Sequence, residues 1–526
     1  MSGGAGVSGV HDLRRLALAT LLASFPGAAV PSWVWRAAEA GLGGVCLYGA
    51  NRGIDVGAAA ARLHARRADL VVALDEEGGD VTRLEAAAGS SVPGNAALGA
   101  VDDEALTRAV GRALGDVLRA TGVDLDLAPC ADANSDPRNP VIGVRSFGAD
   151  ADLVAVHTAA FVAGLQSAGV AACVKHFPGH GETAVDSHLG LPTVAAPADV
   201  LRGRDLVPFR AAIDVGVHAV MPGHLLVPAL DPGRPATVSS RIVTDLLRDE
   251  LGFTGVVVTD ALDMGGAGGP DAIPATVVAA LAAGADLCCL GSDNEEALVE
   301  ACVDAVVAAV GSGELPAARL ADAAARVAAL RAEVGAHGRP VPATGHAAEG
   351  ADAWSALAAV GADAAERARR VDGVLPADRT GAYVVELDRP VNIAAGAVPW
   401  GVATPLASLD PTSTVTRIAE GDGRAVAAAL AAAAGRPLVV VVRDAHRRPA
   451  QAAALSRLVA ARPDAVVVDM GWPGDPADRP ATAAWITTYG ASRASGVAAA
   501  RLLAGDGPGR PAAVAAPVTS GRISRG

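Results

Sequence analysis

The sequence predicts an α/β protein: a TIM-type (β/α)8 barrel followed by a smaller α/β sandwich domain. Between about residues 40 and 335, short apolar runs alternate with helical stretches. A Gly/Pro/Ala-rich stretch, AHGRPVPATGHAAEGA, breaks that pattern at 336–351, and a second, shorter α/β alternation follows it. Buried parallel strands read as nearly continuous apolar, β-branched runs, and alternating such runs with helices over a few hundred residues is the signature of a barrel.

Taken in order, Arg14-Arg15 followed by LALATLLASFPGAAV resembles a short signal peptide. It reads better as the first amphipathic helix, because Phe25-Pro26 interrupts the run and no long uninterrupted apolar stretch precedes a convincing small-residue cleavage site. A second helix is expected from Trp33, after Pro31. Strands are expected at 44–48, 69–74, 123–128, 170–176, 217–221, 255–259 and 285–290, with helices such as 105–121 and 152–168 between them. The barrel is assigned to 1–335, a linker to 336–352 and the C-terminal α/β domain to 353–526, with strands at 381–387, 437–442 and 464–469 and helices at 425–434 and 450–461.

Composition narrows the function. The chain has 526 residues, 51% of them hydrophobic, which excludes disorder over most of its length. A net charge of −14 argues against a sequence-independent nucleic-acid binder, which needs a basic surface. No apolar stretch is long enough to span a membrane. The six cysteines form no CxxC pair and sit in apolar runs, so buried free thiols and a reducing, cytoplasmic location are expected; export is the alternative if the N-terminal run is a signal. Of 43 basic residues only Lys175 is a lysine, in a chain that otherwise uses arginine throughout. An ammonium retained there points to a position that arginine cannot fill.

In a parallel barrel the chemistry gathers at the C-terminal ends of the strands. Asp75, Lys175-His176, His224 and Asp260 all fall at such ends. The densest cluster is KHFPGHGETAVDSH, residues 175–188, holding the lysine, three of the eleven histidines, Glu182 and Asp186. Metal ligation is one reading of it, opposed by the lysine charge and by the lack of an HExxH or HxH pair. Acid–base chemistry fits better. In Asp186-Ser187-His188 the carboxylate can hold one imidazole nitrogen and leave the other to move a proton, although a loop-stabilising Asp–His bond would use the same residues.

Four segments together, ALDEEGGDVTRL, SDPRNPVIGVRSFG, KHFPGHGETAVDSH and GFTGVVVTDALDM, resemble the family 3 glycoside hydrolases, and more narrowly their β-N-acetylglucosaminidase branch of cell-wall recycling. The resemblance covers the first 300 or so residues closely and the second domain, through AWITTYGASRASGVAAARLLAGDGPGR, more loosely. It implies Asp260 as nucleophile, His188 as general acid/base and Asp186 as its partner. It further implies that Asp75, Arg83, Arg145, Lys175 and His176 bind the sugar hydroxyls, with no metal or organic cofactor. The implied activity is retaining exo-hydrolysis of a terminal β-linked N-acetylglucosamine from cell-wall- or chitin-derived oligosaccharides or muropeptides. The alternatives are a β-glucosidase, a broad exo-glycosidase or a glycoside phosphorylase on the same scaffold. Two departures stand out. Asp80 replaces a basic residue of the family's GGRV, and Ala261 and Asp263 stand where many members have DDLSM. With 6 Trp and 3 Tyr in the chain, a pocket for one sugar is expected rather than a long stacked cleft. The oligomeric state is left open.

Overall fold

The computed structural model describes residues 9–48, 51, 53–183, 186–187, 190–336, 347–389 and 393–505. Eight parallel strands form the first domain: β1 Leu21–Ala23, β2 Gly44–Leu47, β3 Val71–Leu74, β4 Leu125–Asp126, β5 Ala171–Phe177, β6 Ala219–Pro222, β7 Val256–Val257 and β8 Cys288–Cys289. Their order is β7-β6-β5-β4-β3-β2-β1-β8, and a parallel bridge between Val258 and Leu287 joins the two ends, giving a TIM-like barrel. β1 was absent from the strands expected: the first helix ends at Ala19, and Leu21–Ala23 pairs with β2 and β8 instead of extending it. A three-residue strand directly behind an apolar helix carries no period of its own.

The strand period of two decides which side chains fill the barrel. Cys46, Val71, Ala73, Ala171, Cys173, Val256, Val258 and Leu287 point inward, and Val327, Leu330 and Val334 of the helix Ala317–Ala336 pack against them. The alternate residues, such as Val45, Val72, Leu74, Ala172 and Val174, pack outward against the helices. Each fully buried Val or Leu contributes about 1.5–3 kcal/mol through this burial. Continuing the inward rows by one step reaches Tyr48 after β2, Asp75 after β3, Lys175 in β5, Asp260 after β7 and Cys289 in β8. The uppermost layer of the barrel interior is therefore partly polar.

The second domain is a six-stranded sheet: β9 Arg370–Gly373, β10 Tyr383–Leu387, β11 Thr414–Ile418, β12 Leu438–Val442, β13 Val466–Asp469 and β14 Ala484–Thr487, ordered β11-β10-β12-β13-β14-β9. Only the β14–β9 pair is antiparallel. Helices Gly423–Ala432 and Pro449–Ala461 cover one face through Val426, Leu455 and Leu458, while Ala403–Leu409 and Arg493–Ala504 cover the other through Leu406, Ala499 and Leu503. This is a three-layer sandwich.

Residues 337–346, inside the expected linker, lie outside the described residues; from Ala347 the chain is helical to Ala368, and Leu357 and Ala364 of this helix join the barrel's core. Further ties cross between the domains. Asp80 accepts the Ala491 N–H at 2.9 Å and pairs with Arg443, Arg493 pairs with Glu85 at 2.5 Å, and His446 Nε2 donates to the Pro137 carbonyl at 2.9 Å. Among the described residues no helix is long and apolar enough to cross a membrane, and all six cysteines are free and buried.

Candidate active site

The polar top layer of the barrel opens into a cavity of about 430 Å3 lined by Asp75, Glu77, Arg83, Arg145, Lys175, His176 and Asp260, with Tyr48, Leu127, Met221 and Cys289 among its apolar walls. That volume suits one small ligand. The loop 393–396 of the second domain completes the wall with Ile393, Ala394 and Gly396. Arg83 Nη2 donates to the Ala394 carbonyl at 2.8 Å and lies 3.7 Å from Asp75. The second domain thus reaches the cavity through backbone carbonyls, a contribution that no motif in its sequence indicates.

Charge inside the cavity is balanced by direct pairing. Lys175 Nζ sits 2.7 Å from both Asp75 Oδ1 and Glu77 Oε1. Arg145, delivered by the 3-10 turn Gly143–Arg145, grips Glu77 with two parallel bonds, Nε to Oε2 at 2.9 Å and Nη2 to Oε1 at 2.7 Å. Burial alone would lift the Glu77 carboxyl, but Arg145 and Lys175 outweigh it and hold its pKa well below the usual carboxylate range. Burial likewise opposes the charge on Lys175, and Asp75 and Glu77 outweigh it, so the ammonium is held more firmly than in water. Two carboxylates here face two cations. The lysine fits a compact slot between two carboxylates where a forked guanidinium would need more room. Glu77 was not singled out in the sequence, because the second glutamate of DEEGG has no mark that separates it from the first.

His176 is oriented from behind. Its Nδ1 donates to Asp132 Oδ2 at 2.8 Å, leaving Nε2 for the cavity that the ring lines. Asp132, just beyond β4, is fully buried and also accepts the backbone N–H groups of His176 and His180 and the Cys130 thiol. Burial works to raise its pKa, and His176 overrides this and holds it well below the ordinary value. Cys130, Asp132 and His176 are the one group of described residues whose donor atoms lie close enough together, within 4.8 Å, to hold a cation. Burial pushes the Cys130 thiol far up, and the Asp132 oxygens are already taken by four donors. The trio therefore fits a hydrogen-bonded support for His176 better than a metal site.

Asp260 follows Thr259, whose backbone N–H is bonded to Leu287 across the barrel seam. Its Oδ1 accepts the N–H of Ala261 at 2.8 Å. His224, noted in the sequence as another polar strand end, stands behind this loop: Nε2 donates to the Ala261 carbonyl at 2.9 Å and Nδ1 meets Thr237 Oγ1 at 2.7 Å. Asp263 also borders the cavity, but its Oδ2 accepts the backbone N–H of Ser292 at 2.9 Å and so anchors the loop after β8. Ser187 lines the cavity beside the half-buried Asp186. His188 lies outside the described residues. The structure thus brings Asp75, Arg83, Arg145, Lys175, His176 and Asp260 onto one cavity, adds Glu77 to its lining and places Asp132 behind His176.

The chain resembles known proteins in sequence and in fold. Residues 39–330 match the glycosyl hydrolase family 3 N-terminal domain. The chain is 42% identical over 212 residues to β-hexosaminidase A of Pseudoalteromonas piscicida, covering 38% of this chain and about a third, 36%, of that enzyme's length. It is 41% identical over 235 residues to a β-hexosaminidase of Stenotrophomonas maltophilia, covering 44% of this chain and 69% of that one. Its fold is similar, with a TM-score of 0.83 and 32% identity, to a solved family 3 β-N-acetylglucosaminidase from Paenibacillus sp., covering 94% of this chain and 97% of that one. The chain belongs to glycosyl hydrolase family 3.

Proposed function

We propose that the chain is a retaining exo-β-N-acetylglucosaminidase that removes one terminal β-linked N-acetylglucosamine from cell-wall- or chitin-derived oligosaccharides. The observation that carries this reading is the placement of Asp260 on one cavity with the ion-paired set Asp75, Lys175, Glu77 and Arg145. The family and the β-hexosaminidase relatives support the reaction class, and the small cavity supports attack at a chain end.

In this account Lys175, Arg145, Arg83 and His176 donate to sugar hydroxyls and Asp75 accepts from them, so the sugar is held by charged partners that are already aligned. Asp260 attacks the anomeric carbon as the bond to the leaving oxygen breaks, and His188, steered by Asp186, gives that oxygen a proton. Water then attacks the glycosyl-enzyme, loses its proton to His188 and frees the Asp260 carboxylate. A histidine in this role is an imidazolium before it gives up its proton and a neutral imidazole afterwards, so neither form meets the repulsion that a second ionised carboxylate beside Asp260 would meet. The six buried free thiols support residence in a reducing compartment.

The test is turnover of aryl β-N-acetylglucosaminide against aryl β-glucoside, with the product anomer read by NMR. Preference for the N-acetylated substrate with β-anomer released first is expected. Preference for glucose, or release of the α-anomer, contradicts the reading, and sugar 1-phosphate in phosphate buffer would make the enzyme a phosphorylase.

A further inference from the structure

Beyond β5 the chain turns at Gly179, and His180 becomes fully buried. Every polar atom of His180 is engaged. Its N–H donates to Asp132 at 2.7 Å, and its carbonyl accepts from Asn139 Nδ2 at 2.8 Å. Ring atom Nδ1 lies 2.6 Å from Thr183 Oγ1, and Nε2 lies 3.2 Å from Ser187 Oγ. Burial, with His176 beside it, lowers its pKa to about 4, so the ring is neutral at neutral pH. A neutral imidazole has one donor and one acceptor, and here each meets a hydroxyl that can supply the complementary group.

Ser187 is held a second time. Its carbonyl accepts the N–H of Gly266 at 3.1 Å, and Gly266 lies six residues beyond Asp260 on the loop after β7. That approach needs a glycine: a Cβ at Gly266 would come within 2.9 Å of His224 Cβ and 3.1 Å of the carbonyl oxygens of Ser187 and Gly190. Ser187 therefore joins the loop after β5 to the loop after β7.

We propose that His180, Ser187 and Gly266 form a clasp that sets the segment carrying Asp186 at a fixed spacing from the Asp260 loop, which makes His180 a positioning residue for proton transfer to the leaving group. The inference rests on the acid–base reading of Asp186 and His188. It goes beyond it by naming what ties Asp186 to the loop that carries the nucleophile. Displacement of a catalytic group by about 1 Å can cost about a hundredfold in rate, so loosening the clasp weakens the step that depends most on alignment.

The experiment measures kcat/KM for Ser187→Ala, Gly266→Ala, His180→Gln and the reference His188→Ala on aryl β-N-acetylglucosaminides whose leaving groups run from good (2,4-dinitrophenol) to poor (phenol), with a thermal melt of each variant. The clasp variants should lose about tenfold to a hundredfold on the poor leaving groups and little on the good ones. His188→Ala should show the same trend more steeply. A role in stability alone would lower the melt and reduce all substrates equally. A uniform loss or no loss in Ser187→Ala and Gly266→Ala, with His188→Ala still selective, overturns the clasp and leaves the acid–base reading standing. A flat series for His188→Ala overturns both. Should His180→Gln not fold, the other two variants decide.

Discussion

Lys175 Nζ lies 2.7 Å from Glu77 Oε1, inside a barrel whose remaining interior is almost wholly apolar. Arg145 holds the same carboxylate, so Glu77 is the shared counterion of the two buried cations that face the cavity. Glu77→Gln leaves those cations undercompensated. We expect a loss of about 3–5 kcal/mol in unfolding free energy, in line with the removal of one partner from a buried pair. Urea denaturation measures it, and an unchanged midpoint would contradict the pairing. The sign with pH follows from the depressed Glu77 pKa: its contribution is fully present above the unfolded carboxylate range and is lost only as the solution becomes more acidic than that.

Asp260 and Asp263 both border the cavity, and only Asp263 carries the Ser292 backbone. Asp260→Ala should abolish turnover and regain part of it with azide or formate, small nucleophiles that fit the vacated space. Asp263→Ala should lose stability and some activity with no rescue. Rescue of the Asp263 variant in place of the Asp260 variant would exchange the two roles.

The departure at Asp80 has a partner. Its carboxylate meets Arg443 and the Ala491 N–H of the second domain, close to the Arg389 and Arg447 cluster around Asp444. Asp80→Ala strips a buried arginine of its counterion and should lower the melting temperature while raising KM more than it lowers kcat, because the 393–396 wall is carried by the same domain. Asp80→Arg, which restores the basic residue common in the family, should be worse than alanine, since it faces Arg443 and Arg389 directly. Equal behaviour of the two variants in melting and kinetics would contradict this.

His180 supplies a pH prediction. Its folded pKa of about 4 lies below the ordinary imidazole value, so the unfolded chain binds the extra proton first. Stability from this residue is present above about pH 6.5 and is lost as pH falls toward 4. NMR of the ring protons should place its midpoint near 4; a midpoint near the ordinary value would show an accessible ring and undo the burial argument.

The seven strands expected in the barrel from apolar runs all recur in the structure, because β-branched residues buried on both faces leave a strong signal. β14 (AWIT) escaped although it is buried and apolar, whereas the other strands that escaped had weak or misplaced signals. β1 is three residues behind a helix, and the exposed edge strands β9 (RVDG) and β11 (TVTRI) are too polar to stand out. In the cavity, the strand-end rule reached Asp75, Lys175, His176 and Asp260, since each ends or follows an apolar run. Asp132 and Glu77 sit a few residues further along, where only the folded path of the loop brings them back. Ala394 and its neighbours act through carbonyl oxygens, which every residue has, so no side-chain pattern could mark them. The burial of Lys175 also changes how its role is probed: being 3% exposed and doubly paired, it should resist amine reagents in the folded enzyme, and substitution by Arg or Met is the better test.

In the proposed reaction Asp260 forms the bond to the sugar. The most direct measurement is to trap that bond with a 5-fluoro glycosyl fluoride of N-acetylglucosamine, which slows release of the glycosyl-enzyme, and to locate the label by mass spectrometry of a peptic digest. One label per chain is expected, on the peptide containing Asp260, and none on the Asp260→Ala variant. A label on Asp263, or turnover of the reagent with no covalent adduct at any time, would contradict it.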